Sequence, residues 1–231
     1  MHPSPGLPVL YEDNHLLVVS KPVGLPTQGA APGRASVLDL ARAYLKQKYN
    51  KPGNVYLGIV SRLDASSTGV LVLARTSKAA GRLAEQFRLG RVEKTYWAAV
   101  QGHPEPAASE CVDWIMKDES QHRMVVTQPT HRLARQARLT YRTLVALDRE
   151  TLLEITLQTG RKHQIRVQLA DRGHPISGDT KYGATIGFPA GIALHARRLV
   201  IEHPVRREPL VIQAPCPASW RRLGIEDSFH A

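Results

Sequence analysis

The sequence has few cysteines and no long hydrophobic stretch. Cys111 and Cys216 are its two cysteines, too few for a disulfide framework and without the paired spacing of a zinc site. The longest strongly aliphatic run, Val70 to Ala74, has five residues, whereas a membrane-spanning helix needs roughly 20. Residues 1–8 lack the basic start and apolar core of a signal peptide. We therefore expect a cytoplasmic protein with reduced thiols and no membrane partner.

Several motifs that mark enzyme classes are also missing. The sequence contains neither a G-x-S-x-G elbow nor an S-x-x-K pair, so nothing indicates a serine nucleophile. Its ten histidines include no H-E-x-x-H, which argues against a metal site. Residues 173–180 imitate the glycine spacing of a P-loop, but Asp179 stands where the phosphate-binding lysine is required. We therefore predict neither a metal nor a nucleotide cofactor.

Basic residues, by contrast, are abundant. Lysine and arginine together number 31 against 20 acidic residues, a formal net charge of +11. The cations are dispersed along the chain in small groups, for example Arg82/Arg88/Arg91, Arg132/Arg135/Arg138 and Arg197/Arg198. Such a pattern predicts a folded basic face for a polyanion rather than a disordered arm. The alternative is a surface that is simply basic.

The hydrophobic pattern favours an α+β fold with one domain over residues 9–231, after a loose segment at residues 1–8. With 231 residues and 42% hydrophobic content, the chain can bury one sizeable core. Ser36 followed by Asp39 has the spacing of a capping box at a helix start. Ser77 is predicted to cap a second helix that Gly90 ends, and a third helix is predicted from His163 to Arg172. Strands are predicted at 15–20, 55–60, 70–74, 91–100, 138–147, 151–159, 193–201 and 209–212. Because these strands lack a regular βαβ alternation, we expect a largely antiparallel mixed sheet with flanking helices.

The most distinctive loop lies between two apolar strands, in the segment from Val60 to Leu71. It places Asp64 close to Arg62, and small hydroxyl residues and a glycine follow before the next strand. A short loop held at both ends by strands can fix a reactive carboxylate in space. The alternative is that Asp64 only caps a turn with its side chain.

A second basic segment runs from Thr159 to Arg166. Arg161 and Lys162 lie at a predicted helix start, where positive side chains and backbone amides together favour phosphate. Helical spacing predicts that Lys162 and Arg166 lie on the same side of that helix. A solvated basic turn is the alternative.

Six segments, taken in order, form a recognisable pattern. They are Leu16 to Gly24 (LLVVSKPVG), Ser61 to Gly69 (SRLDASSTG), Glu93 to Tyr96 (EKTY), Gly160 to Arg166 (GRKHQIR), Gly173 to Gly183 (GHPISGDTKYG) and Leu194 to Ala196 (LHA). With these segments the chain resembles the RluA-type pseudouridine synthases, which convert uridine in structured RNA to its C-linked isomer. Two departures from the family pattern stand out: Ser61 replaces the usual histidine, and the hydroxyl pair reads Ser67-Thr68 rather than Thr-Ser.

The resemblance implies a pseudouridine-synthase domain with a central RNA-binding cleft, acting on structured ribosomal or transfer RNA. It implies that Asp64 is the catalytic carboxylate, as nucleophile or as base at the sugar. Arg166 would pair with Asp64, and Tyr96 would stack on the uracil and handle a proton. Arg62 would enter the RNA helix and help to flip out the target nucleotide. Four further side chains are expected to contact RNA: Lys21, Arg161, Lys162 and His163.

The same resemblance implies a redox-neutral reaction without a cofactor, and we expect a monomer without the small S4-type RNA-binding domain of some relatives. Two other classes stay open. The chain could be a catalytically silent RNA-binding or ribosome-assembly protein on the same scaffold, although the trio Asp64, Tyr96 and Arg166 argues against that. It could also be a hydrolase that releases the base, with Asp64 activating water.

Overall fold

A computed structural model describes residues 7–31 and 33–225. These residues form two compact units, the first made of residues 7–92 and 196–215 and the second of residues 93–195 and 216–225. Most of the segment predicted to be loose, residues 1–6, lies outside the described residues. The single domain over residues 9–231 stays a prediction.

The first unit is built on antiparallel strand pairs. β2 pairs with both β1 and β4, the short β3 pairs with β4, and β10, most of which lies in this unit, pairs with β11. β10 also neighbours β4. The strands of this unit are β1 (Val9–Glu12), β2 (Leu16–Lys21), β3 (Gly58–Ile59), β4 (Thr68–Ala74), β10 (Leu194–Glu202) and β11 (Pro209–Gln213). Apart from β1, each lies within a few residues of a predicted strand.

Two helices of the first unit begin at side-chain caps. In α1 (Val37–Lys48) the predicted capping box is present: the Ser36 hydroxyl accepts the Asp39 amide at 3.3 Å, and the Asp39 carboxylate accepts the Ser36 amide at 2.9 Å. α2 (Ser77–Arg88) is capped by Thr76 rather than by Ser77 as predicted. The reason is that Thr76 has the extended backbone of a cap, and its hydroxyl accepts the Ala79 amide at 3.2 Å.

The apolar core of the first unit lies on both faces of β2 and β4. Alternate residues of a strand point to opposite faces, and both faces are covered here. On one face Leu17, Val19, Leu71 and Leu73 pack with Val37, Ala41 and Leu45 of α1. On the other face Leu16, Val18, Val70 and Val72 pack with Ala79 and Leu83 of α2. Burial on both faces explains why these strands read as continuous aliphatic runs.

In its described residues, the second unit has an antiparallel sheet, one α-helix and two short 3₁₀ helices (Thr180–Tyr182 and Ala218–Leu223). Its strand order is β5-β9-β8-β6-β7. The elements are β5 (Glu93–Gln101), β6 (Ala108–Asp118), β7 (Arg123–Thr127), β8 (Arg135–Ala146), β9 (Glu150–Leu157) and α3 (Gln164–Asp171). The predicted α+β class and largely antiparallel sheet are therefore confirmed.

No helix in the described part of the chain is long and apolar enough to cross a membrane.

Candidate active site

The loop that carries Asp64 is fixed through the backbone of both neighbouring residues. On one side, the Thr27 hydroxyl donates to the Leu63 carbonyl at 3.0 Å and accepts the Leu63 amide at 3.1 Å. On the other side, the Ala65 carbonyl accepts the Gly24 amide at 2.7 Å. The segment before α1 thus holds the residues immediately before and after the carboxylate, which leaves the loop little freedom to move.

Ser67 closes the turn that begins at Asp64. Its amide and its hydroxyl both donate to the Asp64 carbonyl, at 3.2 and 3.1 Å. Ser67 is buried, Asp64 is partly exposed and Arg62 is exposed. The serine at this position therefore supplies a hydroxyl that the turn uses, and Arg62 lies where an RNA could reach it.

Lys21 is fully buried beside this loop. Its ammonium donates to the carbonyls of Pro22, Leu25 and Ala65, at 2.8, 2.9 and 3.3 Å. Burial lowers the pKa of Lys21 to about 8, and the charge of the nearby Asp64 opposes this shift. An ammonium enclosed in this way is not presented to a phosphate. The expectation that Lys21 contacts RNA is therefore corrected: Lys21 ties the loop to the end of β2.

Gly69 shows why the loop must end on a glycine. Its φ is +115°, a conformation that side chains rarely adopt, and a Cβ there would lie 2.3 Å from the Ala196 carbonyl oxygen. Gly69, the second residue of β4, lies against the backbone of β10, so the glycine of the S-R-L-D-x-x-x-x-G segment is required by close packing.

In the second unit, Arg166 is the third residue of α3 and is buried. Lys162 is exposed, so the prediction that the two side chains share one side of a helix is wrong. The helix begins only at Gln164, and His163 before it has a left-handed backbone with φ of 52°, which breaks the helical spacing.

The start of α3 is built by a buried glutamine. The Gln164 side-chain oxygen accepts the Thr159 hydroxyl at 2.7 Å and the Arg161 amide at 3.0 Å, and its nitrogen donates to the Arg138 carbonyl at 3.0 Å. Arg161 and Lys162 are exposed on this ordered turn, where they can meet a phosphate backbone. His163 is partly buried, and its Nδ1 lies 2.8 Å from the Tyr182 hydroxyl.

Tyr96 lies on β5, opposite Ile155 of β9. It is partly buried and packs against the main apolar cluster of the second unit, whereas the next residue, Trp97, is buried in that cluster. A ring that is half supported by core and half accessible suits a stacking surface. The pairing of Arg166 with Asp64 and the stacking role of Tyr96 stay predictions.

Two residues of the site were not predicted from sequence. Thr27 gave no signal, because a threonine in a loop has many uses. Asp179 was noticed as a mismatch to a P-loop and lies in the matching segment Gly173 to Gly183, but no role was assigned to it, and it binds Arg166 through two hydrogen bonds of 2.6 and 2.8 Å. Among residues 7–31 and 33–225, no group of three or more histidine, cysteine or acidic side chains is placed to hold a metal ion.

Comparison with known proteins agrees with these features. The model of the RNA pseudouridylate synthase family matches residues 15–171. Ribosomal large subunit pseudouridine synthase D of Xanthomonas campestris is 35% identical over 94% of this chain and 68% of its own length. Ribosomal large subunit pseudouridine synthase C of Vibrio cholerae is 31% identical over 91% of this chain and 66% of its own length.

Among solved structures, human RNA Pseudouridylate Synthase Domain Containing 4 superposes with a TM-score of 0.79 at 28% identity, over 95% of this chain and 94% of that one. The chain therefore belongs to the RNA pseudouridylate synthase family, in its RluA-type branch. It is an RNA pseudouridine synthase, an isomerase.

Proposed function

We propose that this chain isomerises uridine in large-subunit ribosomal RNA, with Asp64 as the catalytic carboxylate. The observation that carries the assignment of Asp64 is the double fixation of its loop, through Thr27 on Leu63 and through Gly24 and Lys21 on Ala65. The choice of RNA is supported by relatives whose names state a large-subunit ribosomal substrate.

The reaction moves one bond and one proton without a change of oxidation state. The N1–C1′ glycosidic bond breaks, the uracil turns, and C5 forms a new bond to C1′. C5 then loses its proton and N1 gains one. A carboxylate can act as nucleophile at C1′ or as base at the sugar, and either role requires a fixed oxygen close to the ribose. The loop of Asp64 meets that need.

The other side chains have supporting roles in this proposal. Arg166 pairs with Asp64, and Tyr96 stacks on the flipped uracil and handles its proton. Arg62 enters the space that the nucleotide leaves, because chemistry on a paired base requires flipping at a cost of a few kcal/mol of lost stacking. Arg161, Lys162 and His163 contact the RNA from the turn before α3, where exposed cations bind phosphates.

Base release by hydrolysis is the rival reaction, and one experiment separates the two. The protein is incubated with a large-subunit ribosomal RNA fragment carrying tritium at uridine C5. We expect tritium to enter water, RNA mass otherwise to stay unchanged, and carbodiimide labelling to map the pseudouridine. Free uracil and an abasic site would instead identify a hydrolase. Modification of transfer RNA in a parallel reaction, with ribosomal RNA untouched, would contradict the proposed substrate.

A further inference from the structure

The second unit contains a buried arginine–carboxylate pair, Arg166 and Asp179, whose carboxylate has no role in the proposed mechanism. Arg166 is 6% exposed and Asp179 is 1% exposed. Arg166 Nε donates to Asp179 Oδ2 at 2.6 Å, and Nη2 donates to Oδ1 at 2.8 Å. Two parallel hydrogen bonds to one carboxylate fix both the position and the plane of a guanidinium. The opposite charges also make burial of the arginine tolerable.

An aromatic ring holds the same guanidinium. Arg166 Cζ lies 5.0 Å from the centre of the Tyr182 ring, a distance typical of a cation on an aromatic face. The ring is itself anchored, because the Tyr182 hydroxyl accepts the Met124 amide at 3.1 Å and lies 2.8 Å from His163 Nδ1. Arg166 is thus oriented by a carboxylate and by a ring, and neither of them has freedom to reorient.

The backbone around Asp179 is equally constrained. Its amide donates to the Ile176 carbonyl at 2.9 Å, and its own carbonyl accepts the amides of Tyr182 and Ala184 at 3.0 and 3.1 Å. The preceding Gly178 has φ of +85°, and a Cβ there would lie 2.6 Å from the Gly191 carbonyl oxygen. Gly178, one of the two glycines that imitate a P-loop, is therefore required by close backbone packing next to Asp179.

We propose that Asp179 is the positioning residue for Arg166: it holds the guanidinium in the orientation that the isomerisation requires. Asp179 lies outside residues 15–171, which the family model matches. The inference rests on the proposed function, because it assumes that Arg166 acts in the reaction. Asp179 itself acts through Arg166 and contacts no reacting atom.

The test compares Asp179→Asn with Glu150→Gln. Glu150 is a second buried carboxylate in the same unit; it accepts two hydrogen bonds from Arg222, at 2.9 and 2.8 Å, and one from Ser177. Both variants remove the charge of a buried carboxylate that pairs with an arginine, so both should melt at a lower temperature. Below both melting temperatures we expect kcat to fall about tenfold to a hundredfold in Asp179→Asn alone, with RNA Kd within about twofold in both.

A double variant shows whether Asp179 acts through Arg166. If it does, adding Asp179→Asn to Arg166→Lys should lower kcat by less than about twofold further, because residues that act as a unit are not additive. Multiplicative losses, or equal loss of kcat in Asp179→Asn and Glu150→Gln, would show that Asp179 serves only the fold and would overturn the proposal.

Asp179→Glu covers the case in which the asparagine variant does not fold. It keeps the charge but moves the carboxylate by one methylene, so the pair persists while the guanidinium shifts. We expect a folded protein with reduced kcat, and full kcat would overturn the proposal. An inactive wild-type protein would refute the proposed function itself, whereas an active wild type with these contrary outcomes would refute only the role of Asp179.

Discussion

The position of Asp64 depends on hydrogen bonds that other residues make to the main chain of its two neighbours, Leu63 and Ala65. Thr27 satisfies both the amide and the carbonyl of Leu63, and Ala65 is bound by Gly24 and Lys21. Displacement of a reacting group by about 1 Å can cost a hundredfold in rate. Residues that never touch the substrate should therefore influence kcat through the position of Asp64.

Thr27→Val tests this dependence, because valine has nearly the shape of threonine but cannot hydrogen-bond. We expect kcat to fall about tenfold to a hundredfold, since both backbone groups of Leu63 lose their partner and the loop relaxes. RNA Kd should stay within about twofold. The measurement is a comparison of single-turnover rates and filter-binding affinities.

Thr27→Ser is the matched control, because it keeps the hydroxyl and removes only a methyl group. It should retain most of the wild-type rate. If the serine and valine variants are equally slow, the lost activity reflects packing at position 27, and the hydrogen bonds to Leu63 do not position Asp64.

The residues with a distinctive neighbourhood could be found from sequence, whereas those defined by burial could not. Asp64 and Arg166 were singled out by their segments. Lys21 was assigned to RNA from the resemblance of its Lys-Pro turn to the family, and nothing in the sequence shows that three carbonyls enclose its ammonium. Asp179 was misjudged for a related reason: its partner is 13 residues away in the sequence and meets it only in the folded chain.

At the scale of elements, sequence patterns worked best where both faces of a strand are buried. β2 and β4 were predicted within two residues of their bounds, because their aliphatic runs have no polar interruptions. The β6–β7 hairpin was not predicted. β6 has only Cys111 and Ile115 buried among exposed and partly exposed residues, so its sequence carries little hydrophobic periodicity. β1 is only partly buried throughout and was missed for the same reason.

Glu12 joins three elements of the first unit. Its carboxylate accepts the hydroxyls of Tyr44 and Tyr49 at 2.8 and 2.6 Å, the Lys48 ammonium at 2.8 Å and the Arg75 guanidinium at 3.2 Å. Tyr44 and Lys48 lie on α1, Tyr49 follows α1 directly, and Arg75 follows β4 directly. Burial alone would raise the pKa of Glu12, but the hydrogen bonds from Lys48 and the two tyrosines outweigh it and lower the pKa to about 2.

Glu12→Gln should therefore lower the free energy of unfolding by about 2 kcal/mol at pH 7. Between the ordinary value of 4.5 and the folded value of about 2, the unfolded state binds more protons than the folded state. The stabilisation is thus fully present above about pH 4.5 and is lost as the pH falls through about 2. Urea denaturation at several pH values measures the difference between wild type and variant.

Glu85→Gln is the control for Glu12→Gln. The Glu85 side chain is 61% exposed, and its 3.7 Å contact with Arg88 is a surface pair of little energetic value. It should change stability by less than about 0.5 kcal/mol at any pH. A pH-independent cost of Glu12→Gln would mean that shape, and not the carboxylate charge, holds these elements together.

At the scale of the whole molecule, the net charge of +11 favours RNA binding without contributing to the chemical step. Contacts between cations and phosphates supply most of the affinity for RNA, and they do so without regard to the reacting base. The sequence predicted the RNA partner from this surplus and the reaction from six ordered segments. It could not predict how tightly each catalytic side chain is held, because that depends on residues brought together by folding.

The most direct test of this account is the rate and affinity of Asp64→Asn on one tritiated ribosomal RNA fragment. Asp148→Asn, an exposed turn position, makes the same charge change and should keep the wild-type rate. We predict that Asp64→Asn binds the fragment within about twofold of wild type while tritium release falls by about a thousandfold or more. Release within about tenfold of the wild-type rate would contradict the central claim that Asp64 performs the reaction.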